Sequence, residues 1–413
     1  MRVLFVGSEI SIKNSPEGIV SRALIDGFLQ MGYAVDLVSP AFPPGLKVPG
    51  LERHFEFKPK VSFLVDKVIK KLTGLEGAGF HKYCCAVLQE LAINEYDIIF
   101  IRSEPVSLHR LALFINDKYS VSCVCSFGDV GSVNPYYIRS LLGGLRKKNL
   151  ERIERQVIDK GNVITQTSSR GVDLYKRAGF DVSNFIVLPN PIASSAKMSL
   201  SVPLSEDNHD VSVRECFKNV QRAAGQHKYN VAFIGSFYGD RKPDVMLKFL
   251  SNYSDVAVHV FGGVRNILYE KEGMFYSWMK NKGLSDLQSM AKSYGVSKFY
   301  VWPFMPIELL GVIIARHVDI LINVDADFEP NPFLSSKLVQ YLSYDKPVLN
   351  FSNEGATVDL LREAGVSYYV PYATESDVPN FAELMRLCKP TNSLADAYAP
   401  QQVVARLVGA LGR

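Results

Sequence analysis

The chain has 413 residues, which is longer than one typical hydrophobic core supports and suits two domains of roughly 180 to 200 residues each. Hydrophobic residues make up 47% and charged residues 21% of the chain, as in an ordinary globular protein, and the net charge of +4 is too small to predict binding to nucleic acid. The longest apolar tract, residues 309–324, is interrupted by charged residues, so we expect no membrane span.

The placement of cysteine and histidine argues against a metal site. The six cysteines and seven histidines are scattered without the spacing of zinc ligands. Scattered cysteines of this kind suit a reducing cytosol. The first residues, MRVLFVGSEIS, form a short apolar run without a signal-peptide cleavage site, so we expect them to begin a buried strand of a cytoplasmic protein.

From the N-terminus onward, short β-rich runs alternate with amphipathic helical patterns, which predicts parallel sheets joined by right-handed crossovers. In the first half we expect strands at residues 2–6, 34–38, 97–101, 121–126, 162–165 and 185–188. The helical patterns between them include residues 18–30, 82–92, 108–115 and 137–159.

The second half repeats this alternation, with strands expected at residues 230–234, 257–261, 298–301, 320–323, 347–351 and 368–370. The sequence therefore predicts an α/β fold with two Rossmann-like domains, at residues 1–192 and 229–395. Residues 193–228 lose the strand pattern and are rich in Ser, Asp, Asn and Lys, which is typical of a linker or a surface excursion. Residues 396–413 have the apolar spacing of a final helix.

Residues 331–349, NPFLSSKLVQYLSYDKPVL, combine a polar loop, a helix start and a buried strand. Ser335 or Ser336 can cap the helix, whose first backbone N–H groups then point outward, and Lys337 adds a positive charge. Such a unit can bind a phosphate. An ordinary capped helix in an α/β sheet has the same pattern, so both interpretations stay open at this point.

A second turn, GSFYGDRK at residues 235–242, follows an expected strand end. Gly235, which precedes the predicted donor-binding residue Ser236, allows a ligand to approach the backbone closely. Arg241 and Lys242 would reach the same rim of the sheet as the helix start. A guanidinium can bind a phosphate through two hydrogen bonds. A helix N-terminus contributes only about 0.3–1 kcal/mol toward an exposed anion, so both parts are needed to hold a diphosphate. Alternatively, Arg241 and Lys242 are solvated residues that open a helix.

Four ordered blocks of the chain resemble one enzyme family. Residues 335–349, SSKLVQYLSYDKPVL, are similar to its P-S-K-L-x-E-Y-L-A-x-G-K-P-V signature, and residues 233–241, FIGSFYGDR, are similar to its F-x-G-S-F-Y-x-x-R turn. The passages at residues 162–191 and 2–38 resemble its central and N-terminal blocks. By these residues the chain resembles the retaining GT-B glycosyltransferases of the large family four.

This resemblance implies two Rossmann-like domains that face each other across a cleft, with parallel sheets in both. The N-terminal domain is then expected to bind the acceptor, the C-terminal domain to bind a nucleoside diphosphate sugar, and the final helix to cross back to the first domain. The expected reaction transfers the sugar to a hydroxyl group of a glycan or lipid-linked glycan, with retention of configuration and without a metal or other cofactor. Bacterial surface polysaccharide or glycolipid synthesis is the expected setting.

The same resemblance implies which residues bind the ribose and the sugar, but the chain differs from the family at two of these positions. Where the family has a Glu that binds the ribose hydroxyls this chain has Gln340, and where the family has another carboxylate it has Pro332. A neutral hydrogen bond contributes about 0.5–1.5 kcal/mol against about 1.5–3 kcal/mol for a charged one, so Gln340 predicts weaker ribose binding. Glu329 and Asn331 could replace the missing carboxylate, or Glu329 could be a loop charge.

The nucleotide base is expected between Gly262, which follows a strand, and the loop that contains Trp302 and Phe304. Aromatic faces and backbone amides can hold a planar ring there. Trp302 could equally be a core residue, and no feature separates uracil from guanine.

On the acceptor side, residues 126–137, SFGDVGSVNPYY, resemble the D-F-R-D-P-W-S-x-N-P-Y loop of some family members. Asp129 would follow a strand end, where its carboxylate could orient or deprotonate an acceptor hydroxyl. Asp is also common in turns, and the arginine of the family loop is missing here. Gly7 and Gly18 belong to the counterpart of the family's flexible glycine loop, in which Glu17 replaces one glycine of a Gly-Gly pair.

Residues 57–80 carry five lysines beside apolar residues. This segment could contact an anionic membrane surface, as a lipid-linked acceptor would require, or form a solvated helix on the first sheet.

Two other functions are alternatives to glycosyl transfer. One is a nucleotide-sugar epimerase, and the other is a catalytically silent partner subunit, which the changes at Gln340 and Pro332 would suit. The chain lacks the G-x-G-x-x-G fingerprint of a hydride-transfer fold and the nucleophile elbow of a serine hydrolase.

Overall fold

The computed structural model of the protein describes residues 1–12, 15–58, 78–103, 106–136, 141–193, 211–264, 286–373 and 378–412. The chain divides into two compact units. Unit 1 comprises Met1–Ala193, Pro332–Leu334 and Ala397–Arg413, and unit 2 comprises Ser194–Asn331 and Ser335–Asp396. Most of the predicted lysine-rich segment lies outside the described residues, which omit residues 59–77.

Strands and helices alternate along the described chain. The strands are β1 (Arg2–Val6), β2 (Ala34–Pro40), β3 (Arg53–Phe57), β4 (Ile98–Arg102), β5 (Val124–Ser126), β6 (Val163–Gln166), β7 (Phe185–Val187), β8 (Tyr229–Phe237), β9 (Val256–Val264), β10 (Phe299–Trp302), β11 (Ile320–Val324) and β12 (Val348–Phe351). The α-helices are α1 (Pro16–Gln30), α2 (Ala78–Glu90), α3 (Arg110–Tyr119), α4 (Leu141–Asp159), α5 (Ser169–Arg177), α6 (Val211–Gly225), α7 (Asp244–Leu250), α8 (Ile307–His317), α9 (Ser336–Tyr341), α10 (Ala356–Glu363), α11 (Phe381–Leu387) and α12 (Pro400–Ala410).

Unit 1 is built on a seven-stranded sheet in the order β3-β2-β1-β4-β5-β6-β7, with every neighbouring pair parallel. The central strand β1 is apolar without alternation because both of its faces are covered. Val3 and Phe5 pack with α1 and α12 on one side, while Leu4 and Val6 pack with α2, α3 and α4 on the other. The chain order changes direction on either side of β1, which is where ligands bind in such sheets.

Two distant segments of the chain complete unit 1. Helix α12 packs closely on α1, since a β-carbon on Gly27 would lie 2.4 Å from the carbonyl oxygen of Pro400. The short segment Pro332–Leu334 is held by Ser168, whose hydroxyl donates a hydrogen bond of 2.8 Å to the carbonyl of Pro332. The ring of Phe333 packs beside Tyr136, with 5.6 Å between the ring centres.

Unit 2 is built on a five-stranded sheet in the order β10-β9-β8-β11-β12, again with every neighbouring pair parallel. Its central strand, β8, lies between β9 and β11. Gly235 on β8 pairs in register with Gly262 on β9, and Ile322 on β11 pairs with Phe233 on β8. The predicted α/β class with two parallel sheets is therefore confirmed.

Three elements differ from the sequence-based expectation. Strand β3 was not predicted, because its alternation of charged residues with Phe55 and Phe57 is the weak pattern of an edge strand. Residues 368–370 form no strand, and only Val370 makes an isolated bridge, to Phe351. Helix α6 lies within the predicted linker and buries Phe217 and three other apolar residues on one side. None of the helices in the described part of the chain combines the length and apolar composition needed to cross a membrane.

Candidate functional site

The predicted phosphate-binding residues meet at the carboxyl ends of β8, β9 and β11, beside the central strand of unit 2. Tyr341 on α9 joins two of these strands, because its hydroxyl accepts a hydrogen bond from the N–H of Ile234 at 3.2 Å and donates one to the carbonyl of Ile322 at 3.1 Å. This contact fixes the short helix α9 to the sheet. Lys337, on the first turn of α9, is thereby held next to the end of β8.

Two glycines open space at the strand ends. Gly235 and Gly262 have φ angles of +129° and +137°, a region that other residues rarely adopt. A β-carbon on Gly262 would lie 2.1 Å from the carbonyl oxygen of Gly235 and 3.0 Å from Cζ of Phe304. Phe304 is 58% exposed, so one part of its ring contacts the Gly262 backbone while much of it faces solvent. A planar ring could stack on it.

Three charged side chains, Arg241, Asp325 and Lys337, form what we call the anion site, together with Gly235 and Gly262. The Arg241 side chain is only 11% exposed, and its Nη2 lies 3.9 Å from Oδ1 of Asp325. The Lys337 ammonium lies 4.8 Å from the centre of the Phe233 ring. Its Nζ is buried and has no hydrogen-bond partner among the described residues. With Lys337 protonated, two cations and one carboxylate give the site a net positive charge.

Burial dominates the electrostatics of the anion site. It raises the pKa of the Asp325 carboxyl, although the neighbouring Arg241 works in the opposite direction. It also holds the pKa of the Lys337 ammonium well below its usual range, an effect to which the like charge of Arg241 adds and which Asp325 opposes. A buried ammonium without a hydrogen bond is costly, and a bound anion would compensate it.

Helix α9 itself contributes less than its sequence pattern suggests. It contains six residues, and Ser335 is its N-cap, accepting a hydrogen bond of 3.5 Å from the N–H of Leu338. The backbone N–H of Ser335 donates to the hydroxyl of Thr357 at 3.5 Å. The side chain of Ser336 is half-buried. The side chains of Arg241 and Lys337 are therefore the cationic groups of the site, and the short helix adds only the partial charge of its terminal N–H groups.

The other predicted donor residues lie in unit 2. Ser236 is buried at the end of β8, whereas Lys242 is exposed, unlike Arg241 before it. Glu329 is exposed. Asn331 is buried, and its side-chain amide donates to the carbonyl of Ala326 at 3.1 Å, so it stabilises its own loop. Gln340 is half-buried near the end of α9.

Trp302 is held by a hydrogen-bonded histidine. Its indole N–H donates to Nδ1 of His259 at 3.1 Å, and Nε2 of His259 lies 3.0 Å from the side-chain oxygen of Asn230. Burial lowers the pKa of His259 to about 4, so the ring is neutral at physiological pH. Trp302 is therefore held in place by His259, and the ring of Phe304 is the more accessible aromatic surface.

The predicted acceptor-side residues all belong to unit 1. Asp129 is exposed and follows β5 by three residues. Gly7 follows β1, and Gly18 lies in the first turn of α1, where a β-carbon would lie 2.5 Å from the carbonyl oxygen of Ile12. Close backbone packing therefore explains Gly18 without a ligand.

An ion pair that the sequence analysis did not identify lies beside Asp129. Arg102 is 3% exposed, and its guanidinium donates to both oxygens of Glu17, at 2.5 and 3.1 Å, to the hydroxyl of Ser126 at 2.8 Å and to the side chain of Asn190 at 3.2 Å. Burial raises the pKa of Glu17, and Arg102 opposes that shift. Glu17 thus fills the position of the missing glycine and joins α1 to the ends of β4 and β5.

A serine, a histidine and an acid also come together in unit 1. Nε2 of His54 lies 2.8 Å from Oγ of Ser39, and Nδ1 of His54 lies 3.3 Å from Oε1 of Glu56, which is the spacing of a nucleophilic triad. Ser39 is fully buried, however, and its hydroxyl donates to the carbonyl of Pro40 at 2.9 Å. A fully buried serine is out of reach of a substrate, so we assign this group the structural role of tying β2 to β3.

Asp325 is the residue of the anion site that the sequence analysis missed. It follows β11 directly, and Asn323 on that strand donates to its carboxylate at 3.1 Å. A carboxylate directly after a buried, largely apolar strand was the signal that could have identified it. Within the described ranges, no group of three His, Cys, Asp or Glu side chains could hold a metal ion.

Neither a scan of protein-family models nor a search of curated protein sequences finds a match to the chain. Solved structures, in contrast, resemble it along its whole length. Sucrose-phosphate synthase from Thermosynechococcus elongatus matches with a TM-score of 0.66 and 12% identity, over 100% of this chain and 98% of that one. The chain has the GT-B fold.

Two further GT-B structures are similarly close. Anabaena HepE, in complex with UDP and glucose, matches with a TM-score of 0.65 and 11% identity, over 99% of this chain and 100% of that one. WaaG, a glycosyltransferase involved in lipopolysaccharide biosynthesis, matches with a TM-score of 0.63 and 13% identity, over 99% and 98% of the two chains. At such low identity the GT-B fold is the shared property, and the activity has to be argued from the residues of the site.

Proposed function

We propose that this protein is a glycosyltransferase that moves a sugar from a nucleoside diphosphate sugar to a hydroxyl acceptor. The donor binds at the anion site of unit 2 and the acceptor binds in unit 1. The observation that carries the proposal is the buried Lys337 ammonium, which lacks a hydrogen-bond partner within the described residues and lies in the same site as Arg241. A diphosphate supplies the negative charge and the acceptor oxygens that these two cations need.

The same two cations account for the chemistry of the departing group. Negative charge on the diphosphate grows as the bond to the sugar breaks, and preorganised cations stabilise that transition state more than the ground state. Arg241 and Lys337 can perform this role without a metal ion. Lys242, which is exposed next to Arg241, adds positive charge at the rim.

The nucleoside is assigned to the strand ends next to the phosphates. The base stacks on Phe304 above Gly262, and Gln340 accepts a hydrogen bond from the ribose. Because Gln340 is neutral, the ribose contributes less to binding than in family members that have a carboxylate there. The complex of the GT-B protein HepE with UDP-glucose makes UDP-glucose a rational first ligand to test.

On the acceptor side, Asp129 orients or deprotonates the attacking hydroxyl. Its exposed carboxylate lies at the carboxyl end of the unit 1 sheet, where parallel sheets bind ligands. The resemblance to retaining enzymes leads us to propose transfer with retention of configuration. We further propose that the acceptor is a glycan or lipid-linked glycan of a bacterial surface polysaccharide or glycolipid, used in the cytoplasm or at the inner face of the membrane.

Calorimetric titration with UDP, GDP and their sugars tests donor binding. We expect one of these nucleotides to bind, and Lys337→Met to weaken that binding at least tenfold. Absence of heat with all of them would contradict the proposal and favour a catalytically silent subunit. Conversion of the donor sugar to its epimer without any acceptor would instead identify an epimerase.

Kinetics of Arg241→Ala test the mechanism. With donor at saturation, turnover should fall at least roughly tenfold, which corresponds to about 1.4 kcal/mol of barrier. Arg316→Ala is the matched control, because Arg316 is exposed on α8. If both variants turn over like the unmodified protein, Arg241 takes no part in the reaction.

A further inference from the structure

We propose that Glu154 is a positioning residue that holds the loop of residues 127–136 and, through it, the Asp129 carboxylate. The inference rests on the proposed function, because Asp129 matters only if this loop receives an acceptor. Glu154 lies on α4, far along the chain from the loop, and does not itself contact the solvent-exposed carboxylate.

The carboxylate of Glu154 is completely buried and binds one residue of the loop three times. The backbone N–H of Ser132 donates to both of its oxygens, at 3.0 and 3.1 Å, and the hydroxyl of Ser132 donates to Oε2. A fourth donor is the hydroxyl of Tyr175 on α5, which lies 3.0 Å from Oε1. Each of these groups donates a hydrogen bond, so residue 154 must have a side chain that only accepts hydrogen bonds.

Tyr175 extends the contact to the preceding residue. Its hydroxyl oxygen accepts a hydrogen bond of 2.9 Å from the backbone N–H of Gly131. A β-carbon on Gly131 would lie only 1.7 Å from Oε1 of Glu154, so the backbone approaches the carboxylate as closely as a glycine permits. Two consecutive peptide groups of the loop are thus fixed by one carboxylate and one phenol.

The other side of Asp129 is held in the same manner. The backbone N–H of Gly128 donates to the hydroxyl of Ser103 at 2.9 Å, and the side-chain amide of Gln166 donates to the carbonyl of Asp129 at 3.4 Å. Asp129 is therefore an exposed carboxylate between two anchored segments. A reactive group held by buried hydrogen bonds on both sides is preorganised for its substrate.

Burying the Glu154 carboxylate costs free energy, and this cost supports a role for Glu154 beyond packing. No lysine or arginine pairs with its carboxylate in the described part of the chain, and burial raises its pKa to about 7. The hydrogen bonds from Ser132 and Tyr175 counteract that rise, while the like charge of Glu151 adds to it. A well-packed apolar residue would cost less than such a group.

Glu154→Gln is the decisive variant. It keeps the size of the side chain but replaces one acceptor oxygen by an NH2 donor, which then faces other donors. Glu151→Gln is the matched control, because it makes the same change one turn earlier on α4, where the carboxylate is 35% exposed and pairs with Arg155. Tyr175→Phe is a second variant. It leaves the Glu154 carboxylate and its hydrogen bonds to Ser132 in place and removes the Tyr175 hydroxyl, which joins Glu154 to the N–H of Gly131.

Hydrogen–deuterium exchange of the peptide that covers residues 127–136 measures the loop directly. We expect exchange at least roughly tenfold faster in Glu154→Gln, a smaller increase in Tyr175→Phe, and no change in Glu151→Gln. In sugar transfer, kcat should fall at least tenfold in Glu154→Gln at an unchanged dissociation constant for the nucleotide. A general loss of structure would not lower kcat while leaving the dissociation constant for the nucleotide unchanged.

Two results overturn the inference. One is unchanged exchange of the loop in a folded Glu154→Gln or, if that variant does not fold, in Tyr175→Phe. The other is faster exchange with unchanged kcat, which would show that an ordered loop is not needed for transfer. If the unmodified protein binds no nucleotide and transfers no sugar, the proposed function fails, and the exchange experiment still decides whether Glu154 holds the loop.

Discussion

Gly235 leaves space for the ammonium group of Lys337, because a β-carbon on residue 235 would lie only 2.7 Å from Nζ of Lys337. The strand end and the helix start that the sequence separates by about a hundred residues thus meet at one buried cation. This contact explains why a glycine, with a φ of +129°, stands near the carboxyl end of β8. It also makes residue 235 a sensitive position for testing the anion site.

Gly235→Ala should displace Lys337 and strain the backbone. We expect the affinity for the nucleotide to fall at least tenfold and the free energy of unfolding to fall by about 1–3 kcal/mol. Calorimetry and urea unfolding measure the two effects. Gly225→Ala is the control, since a β-carbon at the end of α6 meets no atom within 4 Å, and it should leave binding unaltered. Unweakened binding by Gly235→Ala would contradict this description of the site.

Binding of a diphosphate should be coupled to proton uptake by Lys337. Burial holds the pKa of Lys337 well below 10.5, so the free protein has neutral Lys337 between that lowered pKa and 10.5. A bound anion restores the charged form. Titrations with UDP at a series of pH values below 10.5, in buffers with different ionisation enthalpies, should show proton uptake that Lys337→Met abolishes. Equal uptake in both proteins would assign the proton to another group.

The same shift predicts how stability changes at high pH. The unfolded chain binds the lysine proton more tightly than the folded protein does, so the free energy of unfolding should rise with pH between the lowered pKa and 10.5. Urea unfolding of the free protein and of Lys337→Met isolates this contribution. A difference between the two proteins that does not vary with pH would be evidence against the lowered pKa.

Phe304→Ala should weaken binding of the nucleotide base and leave binding of the phosphates unchanged. Stacking of a base on an aromatic ring contributes about 1–3 kcal/mol, so the affinity for UDP should fall about tenfold or more. Pyrophosphate has no base, and its affinity should stay the same. Phe304 is 58% exposed, so stability should change little. If the affinities for UDP and pyrophosphate fall together, Phe304 does not stack on the base.

Glu154 should make stability depend on pH in the opposite direction from Lys337. Its pKa is raised from 4.5 to about 7 in the folded protein, so the folded state binds the proton more tightly between these values. The free energy of unfolding should therefore fall as pH rises through this window, by roughly 3 kcal/mol relative to Glu154→Gln. Urea unfolding of both proteins at several pH values measures the difference. Parallel pH profiles would show that Glu154 titrates normally.

Much of the fold could be predicted because the buried central strands carry their own local signal. The apolar runs at β1, β4, β8 and β11 are buried on both faces, and such runs are recognisable without knowledge of their neighbours. The edge strand β3 and helix α6 were missed because their signals are mixed with charged residues. Long-range packing decides whether such segments become ordered elements.

The site could be predicted only in part, for a related reason. Glycines and basic residues next to strand ends identified Gly235, Arg241 and Lys337, since parallel strands present their carboxyl ends on one edge. The common position of the strand ends does not tell whether these side chains face solvent or each other. The exposed Lys242 beside the largely buried Arg241 illustrates the difference.

The pattern of apolar and polar residues specifies the alternation of strands and helices, and with it the α/β class and the edge of each sheet on which polar residues collect. The contacts of Asp325 with Arg241, of Glu17 with Arg102, and of Glu154 with Ser132, which lies 22 residues away in the chain, became visible only in the folded protein. These contacts depend on the order and register of strands and on burial, because residues far apart in the chain become neighbours only after the sheets assemble. Periodicity within one element carries no information about which distant side chain will lie against it.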